Sequence, residues 1–406
     1  MEIPTPSPSE TPRSRRRSRW RIVVAVLAWK AYTLLVVAIF FAQVAPPLGY
    51  RAFVFLEESE TRAERLDEIA RSLAERLAPF DGQYYLDIAG RGYRRFAPDD
   101  PNARAAPGGN YAFFPLYPAL LRALGFLDGR DRIAAMLVLQ AIFAAAAALG
   151  LAVIAQRLGL PRWSSVLLLF AFPTAVFQSV LYAESLFLAL TVGSALCAAQ
   201  GRWVSGAALG FLAGLCRPQG ILVAALWCGP LLGRRAEARS ADGTRRFWRD
   251  VLRVVLPLAA PLAGLGVFCA VLDASIGEPF GFLTIQSHWS REFSAASLAG
   301  EVLSPLEYAG PRFDLVALAL AVALLPALWR RLPAPLALYG TLSVALPLAT
   351  GTALSFGRFL SMSFPHFLVL GMLVGRRPFA LAAVIALFVV LQCVLAKGLI
   401  GWQFVG

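Results

Sequence analysis

The chain has 406 residues, 58% of them hydrophobic and 16% charged, with a formal net charge of +13. Its apolar residues come in long unbroken runs, and roughly ten apolar helices of about 20 residues exceed what a soluble core can cover with polar surface. The positive charge sits in short arginine clusters between those runs, which is the positive-inside pattern of an integral membrane protein and not a nucleic-acid-binding face.

Residues 1–21 are rich in Pro, Ser and Arg and end in the basic run Arg13 to Arg21. The apolar run that follows, about 25 residues, is too long for the core of a cleaved signal peptide. The expectation is a disordered cytoplasmic leader ahead of an uncleaved first span, with one membrane domain over residues 22–406. Spans are predicted at 22–45, 133–156, 163–181, 183–200, 203–215, 221–232, 251–272, 313–328, 333–349, 360–374 and 379–396. A further apolar segment, 113–127, is short and broken by Pro115 and Pro118, so it is read as lying on or dipping into the membrane surface.

Charge arbitrates that ambiguity. With the N-terminus inside and 113–127 not crossing, Arg157, Arg162, Arg202, the run 234–253, Arg330, Arg331, Arg376 and Arg377 all fall on the cytoplasmic side. The fold class is therefore an all-α polytopic membrane protein of about eleven spans (10–12), with outer loops at 46–132 and 273–312. Inside the first loop, Leu66, Ile69, Leu73 and Leu77 recur at helical spacing and predict an amphipathic interfacial helix over 57–77. No internal repeat is visible. The five cysteines show no paired spacing and read as small core residues, and two histidines cannot make a His-rich metal cluster, so neither a zinc site nor a disulfide framework is expected, while a divalent-metal requirement is left open.

This topology gathers Asp81, Asp87, Glu184, Arg217, Gln219, His288 and Arg358 at the non-cytoplasmic ends of their segments. Asp81, in Phe80-Asp81-Gly82-Gln83-Tyr84-Tyr85, precedes a helical pattern that Gly90 and Gly92 would stop. A helix cap and a general base are both open to it, and the two are compatible. Glu184, in Tyr182-Ala183-Glu184-Ser185, is either a helix-start acid or a functional group, since a carboxylate near hydrocarbon is costly unless paired. Arg217-Pro218-Gln219-Gly220 breaks two short apolar segments and frees backbone amides beside a guanidinium, a combination suited to phosphate; the plain alternative is a turn whose arginine sits among lipid headgroups. Arg358 is a second outer arginine against the charge bias. His288, in Gln286-Ser287-His288-Trp289, is either an incidental loop residue or an accessory to the same site.

Taken in order, these motifs, together with Ala112-Phe113-Phe114-Pro115-Leu116-Tyr117-Pro118, Phe172-Pro173-Thr174-Ala175 and Gly357-Arg358-Phe359, resemble the family of GPI-anchor mannosyltransferases that add the second mannose. That family belongs to the glycosyltransferase-C superfamily, and the resemblance covers most of the chain up to about residue 232. It implies a bacterial inner-membrane enzyme that moves a sugar, usually mannose, from a polyprenyl-phosphate donor to a hydroxyl on a lipid or glycan acceptor at the outer face. It makes Asp81 the base, and inverting displacement follows. Gln83, Tyr84, Tyr85, Tyr111, Phe114, Glu184, Arg217, Gln219, His288 and Arg358 are the candidate substrate-binding residues. Phe80 stands where the family commonly has tryptophan, and the insertion before Pro79 is long, so the acceptor does not follow from the resemblance. A multispanning transporter or lipid flippase is the alternative function; it would carry mid-span ionisable residues and repeated halves.

Cysteine labelling in intact cells tests the topology. Cysteines placed at Ser59, Asn102 and Glu292 should react with an impermeant reagent, and those at Ser14 and Ser240 should be protected. Equal protection at Asn102 and Ser240 would refute the map.

Overall fold

The apolar runs become helices. The computed structural model describes residues 12–41, 77–96, 108–229, 243–289, 291, 294–303, 312–401, 403 and 405. In chain order the helices are α1 (Pro12–Phe41), α2 (Asp81–Arg91), α3 (Leu116–Ala123), α4 (Gly129–Arg157), α5 (Arg162–Ala171), α6 (Glu184–Ala199), α7 (Trp203–Cys216) and α8 (Gly243–Ile276). They continue with α9 (Gly281–Thr284), α10 (Ala295–Leu303), α11 (Arg312–Arg331), α12 (Ala334–Leu348), α13 (Phe356–Leu360), α14 (Phe364–Val374) and α15 (Pro378–Ile400). Among the described residues there is no strand, only an isolated bridge between Arg95 and Gly109.

Among the described residues four helical stretches are long and apolar enough to cross a membrane: α4, residues Val251–Ile276 of α8, α11 and α15. The 3-10 segment Pro173–Ser179 and α6 together make a fifth, bent by 100°. Five more apolar helices among the described residues are 10–17 residues long, so this is the architecture of an all-α membrane protein. Its surface agrees: α15 exposes Leu387, Val390 and Val394 while turning Gln392 inward, where its amide donates to the carbonyls of Phe170 and Phe172. An apolar exterior around satisfied polar groups is what a hydrocarbon solvent selects.

Several predicted boundaries move. Helix α1 starts at Pro12 and not at residue 22, so the basic run is helical; proline suits a first helical position, and arginine is a good helix former. The span expected over 163–181 breaks at Phe172, because Pro173 disfavours helical backbone in the residue before it, and Phe172 has ψ 137°. The span expected over 221–232 is instead a 3-10 segment, Pro218–Trp227. Helix α3, about 12 Å long at 1.5 Å per residue, is too short to cross by itself. The expected amphipathic helix over 57–77 lies outside the described residues, apart from Leu77.

Close packing of α7 on α8 follows from a pair of glycines four residues apart, Gly210 and Gly214, while Gly206 on the same helix makes room for the ring of Trp227. A Cβ on Gly214 would stand 2.1 Å from the Pro261 carbonyl oxygen, and one on Gly264 would stand 2.3 Å from that of Phe211. Backbone thus meets backbone, as small residues allow between membrane helices. Gly214→Ala should cost about 1–3 kcal/mol of stability, as overpacking does. Gly266→Ala, whose added Cβ meets nothing within 4 Å on the same α8, should be neutral or slightly stabilising. Thermal unfolding in detergent checks this, and equal melting temperatures for the two variants would refute the close contact.

Candidate active site

Asp81 is placed by three local features. The Leu181 amide donates to the Leu77 carbonyl (2.7 Å), tying the first loop to the turn between Pro173–Ser179 and α6. Gly82 then lets α2 lie against that turn, since a Cβ there would already be 3.1 Å from the Leu181 oxygen. Phe80 precedes the helix with φ 43°. Asp81 is therefore the first helical residue and not the cap, and its carboxylate faces Arg358 instead of the amides of its own helix. Gly92, with φ 78°, ends α2, in line with the predicted stop.

At the head of α6, Glu184 is fully buried. Its Oε1 accepts from Arg217 Nη1 (2.6 Å) and from Arg358 Nε (2.5 Å), while Arg358 Nη2 pairs with Asp81 Oδ2. Four side chains from distant parts of the chain thus form one line, Asp81–Arg358–Glu184–Arg217. The Arg358 guanidinium also lies over Tyr182, 4.5 Å from the ring centroid. Burial works against its charge, but the carboxylates of Asp81 and Glu184 outweigh that and hold its pKa well above the ordinary value.

Each arginine has its own scaffold. Arg217 follows α7 in extended conformation, and the turn after it needs Gly220, because a Cβ there would strike the Ala213 carbonyl oxygen at 1.9 Å. Arg358 sits in α13, which buried Asp314 fixes by accepting from the amides of Ser355 (2.9 Å) and Gly357 (2.8 Å). Thr174 Oγ1 donates to the Gly357 carbonyl (2.7 Å). Ser355 has φ 65°, and it and Phe80 are the two non-glycine residues with positive φ among those described. Both strained positions adjoin the ion line, and such conformations cost about 1–3 kcal/mol each unless the surroundings enforce them.

The line borders a cavity of about 220 Å³ whose wall includes Asp81, Arg217, Gln219 and Arg358, aromatic Tyr85, Phe113, Phe114 and Phe359, and Gln286 and Arg291. Of the predicted site residues, Asp81, Tyr85, Phe114, Arg217, Gln219 and Arg358 line it, and Glu184 braces it from behind. Three others have different partners. Gln83 donates to the Ala78 carbonyl (2.6 Å), Tyr84 stacks on Phe113 (centroids 4.6 Å apart), and Tyr111 belongs to an apolar cluster with Phe114, Phe268 and Phe282. The side chain of His288 lies outside the described residues. Asp87 is a structural clasp, accepting from Asn110 Nδ2 (2.7 Å) and Arg94 Nη2 (3.1 Å), and so closes the loop that leads into Phe113 and Phe114.

Arg291 was not anticipated. It donates to Gln286 Oε1 (2.9 Å) and lies over Phe359, its Nε is buried without a partner, and no carboxylate among the described residues is within ion-pair distance. Burial, and then the neighbouring charge of Arg358, push its pKa down to about 10, so it remains cationic at neutral pH. Lys30 was passed over as well. It is buried within α1 and donates to the Gln178 carbonyl, which Ser185 Oγ also reaches (3.0 Å), bracing the turn that carries Glu184. Among the described residues no three His, Cys, Asp or Glu side chains are grouped to hold a metal ion.

No family model, no curated protein and no solved structure matches this chain.

Removing Glu184 would leave two buried guanidiniums without their shared counterion. Glu184→Gln should therefore cost about 3–5 kcal/mol of stability, the range for breaking a buried ion pair. Asp81→Asn, at the more exposed end of the line, should cost clearly less. Denaturant unfolding of the two purified variants tests this, and equal stability would remove Glu184 as the hub.

Proposed function

We propose that this chain is a membrane glycosyltransferase that moves a hexose, mannose on the resemblance described above, from a polyprenyl-phosphate donor to a hydroxyl acceptor. One observation carries the reading: a partly accessible carboxylate, Asp81, shares a single aromatic-walled cavity with three guanidiniums, those of Arg217, Arg291 and Arg358. A base and an anion site side by side are what a displacement from a phosphate-linked sugar requires.

In this mechanism the acceptor hydroxyl gives its proton to Asp81 as its oxygen bonds to the anomeric carbon. The bond from that carbon to the phosphate oxygen breaks, its electron pair leaves with the lipid phosphate, and the configuration inverts. The phosphate goes from one negative charge toward two, so guanidinium contacts strengthen as the reaction proceeds. Anion binding is supported by three arginines at one cavity, Arg217, Arg291 and Arg358, of which Arg291 has no carboxylate within ion-pair distance among the described residues. Nearby Asp314 is engaged with backbone amides. Burial raises the Tyr85 pKa, which keeps its hydroxyl protonated, and the ring joins Phe113 and Phe114 as an apolar surface for the sugar or the prenyl chain.

The membrane arrangement that fits this chemistry has about eleven spans, the N-terminus in the cytoplasm and the cavity at the extracytoplasmic face of a bacterial inner membrane. Purified enzyme should transfer mannose from a polyprenyl-phosphate donor and not from GDP-mannose. Asp81→Asn should lower turnover about 10²–10⁴-fold, the usual contribution of a positioned base. Arg217→Lys and Arg358→Lys, which keep the charge but lose the planar fork, should each slow transfer. Direct use of GDP-mannose by an enzyme that tolerates alanine at both arginines would overturn the proposal.

A further inference from the structure

The carboxylate read above as the base is already occupied. Arg358 divides its guanidinium between two acids, with Nε on Glu184 and Nη2 on Asp81. That contact engages Oδ2, one of the two carboxylate oxygens through which Asp81 would meet an acceptor hydroxyl. The two contacts also differ in kind. Glu184 is fully buried and its same oxygen, Oε1, also accepts from Arg217, whereas Asp81 lies on the cavity wall with 21% of its side chain exposed. The end of Arg358 that holds Asp81 is therefore the end that faces any anion entering the cavity.

We infer that Arg358 is a donor-operated cap on Asp81: an entering lipid phosphate takes over its Nη contact, Glu184 keeps hold of its Nε, and Asp81 is uncovered as a base only once the donor is seated. This rests on the proposed function, which supplies the phosphate and the role of Asp81. Three features support the exchange. The Glu184 contact lets the guanidinium pivot without leaving the site. Arg217 and Arg291 line the same cavity and share the phosphate, so Arg358 need not neutralise it alone. Gln219 presents a buried Oε1 without a partner on the same wall, a ready acceptor for a donor or acceptor hydroxyl. The consequence is binding order: the lipid-phosphate sugar enters first, and the acceptor hydroxyl meets an active base afterwards.

Competition for one guanidinium is a negative coupling between Asp81 and phosphate, and it can be read from binding alone, without turnover. The probe is farnesyl phosphate, titrated calorimetrically into the full chain in lipid nanodiscs, with empty nanodiscs as the blank. Asp81→Asn should bind it about 5- to 20-fold more tightly than wild type, within the usual range of coupling between sites. In an Arg358→Ala background the same substitution should bring no gain; a gain that persists there would be a plain charge effect and would overturn the cap. Unchanged or weaker binding by Asp81→Asn, with wild-type binding intact, would also overturn it while leaving the donor reading standing. No binding by either protein would overturn the donor reading itself, and the cap with it. A second measurement needs no variant to fold: farnesyl phosphate added to the wild type should shift an ionised-carboxylate infrared band, and an unshifted spectrum would refute the exchange.

Discussion

One buried carboxylate organises the functional end of this molecule. Glu184 has no exposed surface and shares one oxygen between two guanidiniums that lie 33 and 174 residues away in sequence. An ion in that position is tolerated only if it is paired and hydrogen-bonded, because its desolvation costs several kcal/mol. The elements that meet there are therefore under a joint constraint. The head of α6, the break after α7 and the short α13 must converge, and Arg358 then reaches Asp81 at the start of α2. A single electrostatic requirement thus fixes the relative positions of four segments.

Scaffold around that line is mostly backbone. Asp314 spends its carboxylate on the amides of Ser355 and Gly357, Thr174 binds the Gly357 carbonyl, and Lys30 reaches the Gln178 carbonyl. These partners belong to the irregular segments, where helices are broken and main-chain groups lack their own ladder. In an apolar medium such groups need side-chain partners or water, so broken segments are kept where polar side chains gather. The left-handed residues Phe80 and Ser355 stand directly beside Asp81 and near Arg358, and the convergence of packed elements there is what holds them.

Much of the helical layout was legible in the sequence, because long apolar runs have few alternatives. What misled was local chemistry. Pro173 sits at a break where hydropathy alone runs on into a span, and beyond the break expected at Pro218 the chain forms a 3-10 segment where a span was expected. The basic run before residue 22 looks like leader by composition, yet arginine carries helix well. Site residues were legible in part: Arg217 and Arg358 stood out by defying the charge bias, and Asp81 by its aromatic neighbours. Pairing was not legible, since nothing in a linear chain says that Glu184 serves both arginines. Asp314 reads as an ordinary acid in a first helical turn, and Arg291 as one more loop cation. Arg291 had a faint signal, three residues beyond the His288 segment already singled out. Gln83 and Tyr84 show the opposite error: helical spacing sends Tyr85 into the cavity and turns its two neighbours away.

The glycine pair of α7 has a consequence for affinity. Where two helices touch through main-chain atoms, their separation is set by covalent geometry and not by side chains that hop between rotamers. Arg217 is the residue immediately after that helix, so its Cα inherits the stiffness of the contact. A side chain launched from a rigid base and already tethered to a buried acid has surrendered most of its freedom before any ligand arrives. Little ordering entropy is left to lose on association, and more of each new contact appears as binding strength.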